Sequence, residues 1–425
     1  MKFLFTSAKR TSPLWGNRDF MSFWIAQSIS EIGSRITREG LPLAAVLTLG
    51  ATPMMMAWLQ VTTAIPVLIL GFVVGALLDR LPRRPFLIAS DVLRGCLLLI
   101  VPVAAVTGIL KMWVLFAVSA SVGILTLIFT IAYEAYVPTL VGQDRLVDGN
   151  TKLSITSSFA EIVGPGLAGT LVQAITAPFA ILLDSFTYFC SAFYILRIRS
   201  VEPHVIGKPH SARHFLKEIV DGFRTIANVP ILRSLVTTAA FSSFFAGIIF
   251  TLDVLYALHT LHLGAALFGF TIMFGGVGAL FGASLCQRLV RRFGYGRVLV
   301  GAALLSGVLS SLIPLASGSR WHAALFLIGW QLFGDCFGVI FGILESSLRQ
   351  AVTEDHMLGR VNATFNLLTA TLSPLGALFG GWVSVHFSLR AAMAVGAVGM
   401  TLAVGALFIA PLWRIADVAE LSSHT

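Results

Sequence analysis

The stretch DRLPRR (79–84) returns later in the chain as QRLVRR (287–292). Each copy follows a glycine-rich apolar run and precedes another. A second match extends the pattern: GSRITREGLPLAAVLTLG (33–50) aligns with GIIFTLDVLYALHTLHLG (247–264) and puts Glu39 opposite Asp253. A third is looser, PTLVGQDRLVDGN (138–150) with RQAVTEDHMLGRVN (349–362). A proline–glycine run follows each of these, VGPGLAGTLV and SPLGALFGGWV. The chain reads as one apolar unit used twice.

Composition says which solvent that unit is built for. The chain has 425 residues, 56% hydrophobic and 12% charged, with a mean hydropathy of +0.88. Soluble globular chains are about 25% charged. The shortfall leaves too little polar surface for a water-soluble particle, so the class is a polytopic membrane protein. The beginning, MKFLFTSAKRTSPLWGNR, has its apolar run ahead of its basic residues. That is the reverse of a secretory leader, and no cleaved signal is expected. Cys96, Cys190, Cys286 and Cys336 are far apart in apolar runs and read as small buried side chains, not as a disulfide framework or zinc pattern. The net charge of +9 lies mostly in short connections between apolar runs. That is a topology signal and excludes nucleic acid as the partner.

Crossing a bilayer takes roughly 20 apolar residues. Such runs lie near 20–48, 53–79, 85–107, 112–135, 151–175, 178–198, 231–259, 265–289, 296–317, 321–346, 359–386 and 389–413. Basic residues crowd one side of them, whereas the other side has only Lys111, Arg320 and Arg390. That bias puts both termini and the middle segment in the cytoplasm. The predicted fold is an all-α membrane protein with 12 transmembrane helices in two six-helix pseudo-repeat bundles, 1–198 and 230–425. A cytoplasmic linker, 199–229, joins them. Phe215, Ile219, Phe223 and Ile226 recur at helical spacing within it, which predicts an amphipathic helix on the membrane surface. Duplicated six-span halves are a transporter architecture with the site at the midplane between them.

Two motifs carry a resemblance. Gly75, Leu77, Asp79, Arg80, Arg83 and Arg84 resemble the loop between spans two and three of the major facilitator superfamily, with Pro82 where that family usually has glycine. Gly164, Pro165 and Gly169 of EIVGPGLAG resemble the family's antiporter signature, with Ala160 and Ala168 in place of glycines. IGSRIT, DRLPRRP, ASDVLRG, VGPGLAG and LGRVNA together resemble the subgroup of enterobactin exporters and macrolide efflux proteins. The resemblance implies the twelve-span fold, small-molecule transport by alternating access, and a conformational latch at Gly75, Asp79, Arg80, Arg83 and Arg84. Those arginines also stand where cations are favoured, at a helix C-terminus beside anionic headgroups.

The first span holds SEIGSRITREG (30–40). At about 100° per residue, Gln27, Glu31, Arg35, Arg38 and Glu39 fall within roughly a third of the helix circumference. A charge at the bilayer centre costs roughly 2.5–3.5 kcal/mol on the lenient scale. This stripe therefore faces the bundle interior or a water-filled cavity. Two readings stay open. One is a ladder of i,i+4 pairs, Glu31 with Arg35 and Arg35 with Glu39, that holds span one to its neighbours. The other is a cavity wall, with Gln27, Arg35 and Arg38 toward substrate and the carboxylates exchanging protons. A neutral ladder is replaceable by apolar packing at little cost, which favours the second.

Glu161, Asp253 and Asp335 are further proton-coupling candidates, being acids inside apolar runs. Asp91 and Arg94 read as a structural i,i+3 pair, and Asp184 and Glu345 as solvated or capping residues near span ends. Among 32 phenylalanines, Phe245 and Phe337 are candidates for an apolar substrate wall, as are Phe241, Phe244, Phe250, Phe333 and Phe341. His259 and His262 make a weak metal pair, and no metal or cofactor is expected. There is no nucleotide-binding glycine loop, so the energy source is a gradient. The expected function is proton-coupled efflux of an amphipathic small molecule such as a drug or siderophore. The partners are that substrate, protons and the lipid bilayer, for a monomer in the bacterial inner membrane. An importer, a lipid-handling transporter and a non-transporting sensor remain alternatives; an enzyme is not expected.

Overall fold

The structure is a computed structural model that describes residues 14–78, 81–199 and 212–415, without the side chains of 72–73, 75–78 and 212–217. Asp79 and Arg80 of the expected latch lie outside the described residues.

Helices follow the apolar runs. They are α1 (Arg18–Leu47), α2 (Pro53–Leu78), α3 (Arg83–Val106), α4 (Met112–Val141), α5 (Leu146–Ile175) and α6 (Ala177–Leu196). The linker forms α7 (Ala212–Asn228). Then come α8 (Pro230–Leu255), α9 (Ala265–Phe293), α10 (Tyr295–Leu309), the short α11 (Leu312–Leu315), α12 (Arg320–Gly329), α13 (Asp335–Ala351), α14 (Asp355–His386) and α15 (Leu389–Ala403). Asn17 starts α1 by accepting from the backbone N–H groups of Asp19 and Phe20 at 3.0 and 3.2 Å, which satisfies donors with no partner inside the helix. Gly142 and Gly294 stop α4 and α9 at φ of 76° and 85°, a region that favours glycine.

Among the described residues, eleven helical segments are long and apolar enough to cross a membrane. Helix α1 is not one of them. Its 30 residues suffice in length, but its charged stripe lowers its hydropathy. Several helices outrun their apolar cores at one end. Helix α4 runs to Val141 and α5 starts at Leu146, because polar residues beyond the apolar run keep the helix going.

Helices α1–α6 pack among themselves, and so do α8–α15. The two groups meet along α5 with α9 and α2 with α14. Lipid tails give helices no water-driven reason to associate, so close approach of small residues has to hold them. At the α5–α9 crossing a Cβ on Gly169 would lie 2.2 Å from the Ala265 carbonyl oxygen, and one on Gly269 would lie 2.3 Å from that of Pro165. The largest buried apolar cluster draws on both groups, joining Leu43, Val46, Leu115 and Ile181 to Ile248, Leu252 and Phe268. It sits at the end carrying the short turns. Toward the termini the clusters stay within one group, around Tyr136 and Ile195 in the first and around Leu299 and Leu348 in the second. The molecule is closed at the short-turn end.

Helix α7 departs from the expected surface helix. Ile226 is buried with Leu232, Val236 and Val361. Asp221 bonds Arg360 at 3.3 Å, and Gly222 leaves room for Thr364 and the Arg360 carbonyl. This face of α7 docks on α8 and α14, while Phe223 stays exposed. Buried apolar contact and an ion pair hold it to protein more closely than a lipid surface can.

The cysteines also differ from expectation. Cys286 and Cys336 are buried, but Cys96 and Cys190 are exposed on the outside of the bundle. An outward site in an apolar span meets lipid, where a thiol is no less at ease than in a core.

Candidate functional site

The polar stripe of α1 forms one wall of a cavity of about 410 Å³. Gln27, Ser30, Glu31, Ser34, Arg35 and Arg38 line it from α1, and Arg94 from α3. Helix α4 adds Thr126, Phe129, Thr130, Tyr133 and Glu134, and α5 adds Leu153, Ser154, Thr156 and Ser157. The last turns of α4 and first turns of α5 place this cavity toward the termini. Its wall is mostly polar, which an apolar helix bundle tolerates only where water or solute enters.

The ladder within α1 is not what the structure builds. Arg35 reaches across to α5 and pairs with Glu161 at 3.0 Å. The arginine stem lies against Gly164, where a Cβ would stand 2.4 Å from the Arg35 Cβ. Gly164, Pro165 and Gly169 therefore act as packing positions: the first admits Arg35, and the other two shape the crossing with α9. Glu161 also faces Asp335 of α13 closely enough for their charges to repel. Asp335 and Gln331 both press on Gly275 of α9, with oxygens 2.3 and 2.6 Å from where a Cβ would be.

Glu39 leaves the stripe. It is absent from the cavity wall and faces Asp253 of α8, its repeat counterpart, with like charges opposed. Arg38 and Arg35 lie near enough to act on Glu39. Asp253 and Gln331 share a small pocket with Tyr256, Thr271 and Trp330. Each acid of the second group adjoins a π-helical turn, Tyr256–Thr260 after Asp253 and Trp330–Gly334 before Asp335. Such turns widen the helix and frequently mark functional positions.

Behind the cavity lies a second polar group. Arg94 pairs with Asp91, and its guanidinium sits 4.3 Å from the ring centres of both Phe129 and Tyr188. Asp184 is 0% exposed and accepts from the Thr187 hydroxyl at 2.8 Å. The expectation of a solvated or capping Asp184 is corrected: its helix turns it inward against Gly33 of α1, where only glycine leaves room. Glu345 is corrected likewise. It is 4% exposed and pairs with Arg349 at 3.3 Å, whose guanidinium lies on the ring of Phe365.

The aromatic wall is not assembled. Phe245 packs on Gly399 of α15. Phe337 and Phe341 pack against the cluster around Leu299. Phe241, Phe250 and Phe333 are exposed on the periphery. Arg84 donates to the carbonyls of Ile195 and Leu196 at 3.3 and 2.8 Å and so caps the end of α6. Gly75 lies in α2. Among the described residues no cluster of side chains is arranged to hold a metal ion. Two residues escaped sequence reasoning. Glu134 lies where the apolar run was judged to end, and Gln331 differs from its neighbours only as a lone amide in such a run.

The chain matches the model of the transmembrane secretion effector family over residues 9–425. It is 25% identical to the MFS-type transporter YfiS of Bacillus subtilis, over 88% of this chain and 90% of that protein. It is 23% identical to the enterobactin exporter EntS of Citrobacter koseri, over 92% and 91%. Its fold resembles the nucleoside transporter NupG, with a TM-score of 0.75 at 11% identity, covering 92% of this chain and 99% of that one. It also resembles an inward-facing bacterial homologue of the iron transporter ferroportin, with a TM-score of 0.71 at 16% identity over 93% and 99%. The chain belongs to the transmembrane secretion effector family of major facilitator transporters.

Proposed function

We propose that the protein is a proton-coupled exporter of a small organic molecule that works by alternating access. The observation that carries this reading is the set of carboxylates facing each other across the two helix groups: Glu39 with Asp253, and Glu161 with Asp335. Opposed carboxylates in a dry interior repel, and a proton on one of them removes the repulsion. Closure of the short-turn end therefore goes with a bound proton, and separation of the groups frees the acids. Arg35 couples this to the cavity, because it bridges the cavity wall to Glu161.

In this reading all twelve apolar helices span the inner membrane, α1 included, with 1–198 and 230–425 as the two moving bundles. The 30 residues of α1 extend about 45 Å, enough to cross. The basic bias puts the termini in the cytoplasm, so the closed short-turn end faces outward and the cavity is loaded from the cell. The enterobactin exporter relatives support the outward direction. The polar cavity wall and the packed positions of Phe245 and Phe337 weigh against a purely apolar cargo. The test is transport in proteoliposomes under an imposed proton gradient. Wild type should move cargo against its gradient, and Asp253→Asn should equilibrate it without concentrating it. Concentrative transport by the Asn variant would contradict the reading.

A further inference from the structure

The cavity's charges do not balance. Arg35 is matched by Glu161 and Arg94 by Asp91, and Arg38 stands beside Glu39. Glu31 and Glu134 remain. Among the described residues neither has an ion-pair or hydrogen-bond partner, yet both line the cavity and act on the Tyr133 between them. Tyr133 stacks with Phe23 at 5.6 Å and Phe129 at 6.3 Å, so an aromatic surface lies between two unmatched carboxylates. Carboxylates and ring faces both attract an organic cation. The same wall already holds one, since the Arg94 guanidinium lies 4.3 Å from the Phe129 ring centre.

The hydroxyls narrow the ligand further. Ser34, Thr130 and Thr156 donate their protons to carbonyls of their own helices at 2.6, 2.9 and 3.1 Å. Their oxygens are left with acceptor capacity, and the ligand must supply donors. Gln27 is the complement. It lines the cavity, it is 6% exposed, and its Nε2 has no partner. It calls for one acceptor from the occupant. A hydroxyl group is both donor and acceptor.

We infer that the cavity binds a protonated amine carrying hydroxyl groups, held between Glu31 and Glu134 over Tyr133, and that Glu134 sets the preference for cations. The inference rests on the transport reading and names the class of its cargo. An anionic catecholate lacks the charge this wall complements.

The test is calorimetric titration of the full chain in detergent. The probes are kanamycin and further hydroxylated amines, each paired with its N-acetylated and therefore uncharged counterpart, together with tetraphenylphosphonium and 2,3-dihydroxybenzoate. At least one amine should bind, and N-acetylation should weaken it about tenfold or more, in line with a desolvated cation–π and ion-pair contact. Glu134→Gln should abolish that preference and Glu134→Asp should keep part of it; Glu134 is exposed, so both variants keep the fold. The inference is overturned if no amine binds more tightly than its acetylated partner, or if the preference survives Glu134→Gln. Proton release recorded in the same titrations separates this from the transport reading. Amine binding without release leaves the cavity assignment standing and removes antiport. Release driven by the catecholate alone does the opposite.

Discussion

Arg35 is the residue on which site and scaffold meet. Its stem fits only because Gly164 has no side chain, and its head bonds Glu161. The Glu161 side chain is 59% exposed, so this pair contributes at most about 1 kcal/mol to stability. Glu161→Gln should therefore melt within a few degrees of wild type in detergent while losing concentrative transport. A large drop in melting temperature with transport intact would make the pair a structural brace. Asp91 is the opposite case. It is buried against Arg94, and Asp91→Asn leaves an uncompensated charge, a loss of about 3–5 kcal/mol. Thermal unfolding should show that loss, and the double replacement Asp91→Leu with Arg94→Met should recover most of it. The stripe of α1 was legible because charge is so costly in an apolar run that its presence demands a reason. Glu134 was not, because at the edge of such a run an acid looks like ordinary solvation. Asp184 was misread for the same cause: distance along the chain from a span end does not say which way a side chain turns.

At the scale of elements, the helices were legible nearly end to end, since hydropathy sets where a chain can lie in lipid. The π-turns beside Asp253 and Asp335 were not, because one extra residue per turn leaves no trace in hydropathy. The proline–glycine signature was visible, but its work as the α5–α9 crossing appears only when both helices are in view. Gly169→Ala would press a methyl onto the Ala265 backbone carbonyl, which cannot rotate away. It should cost about 1–3 kcal/mol by overpacking and weaken closure of the short-turn end. The spin-label distance between α5 and α9 at that end should lengthen and broaden, and an unchanged distribution would show that the crossing has slack. Helix α7 had the right periodicity but the wrong partner, because amphipathicity says that a face is covered and not by what. Gly222→Val should lift it from α14 and speed proteolysis of the linker in detergent, where no bilayer protects either form.

At the scale of the whole molecule, the repeat foretold that Glu39 and Asp253 are counterparts, and the fold brings them face to face. Two copies of one unit, joined at one end, can rock about that joint. A disulfide between Gln173→Cys and Ala266→Cys, in a chain with its four native cysteines replaced, should lock the short-turn end, since Gln173 already accepts from the Ala266 backbone N–H at 3.0 Å. Transport should stop on oxidation and return on reduction. The central claim is that these opposed acids carry protons in exchange for cargo. The most direct measurement is proton release from purified protein in weakly buffered detergent as cargo candidates are added, with Glu39→Gln and Asp253→Asn beside wild type. The account predicts cargo-dependent release by wild type that is lost in both variants. Cargo binding with no proton released, or release unchanged in both variants, would contradict it.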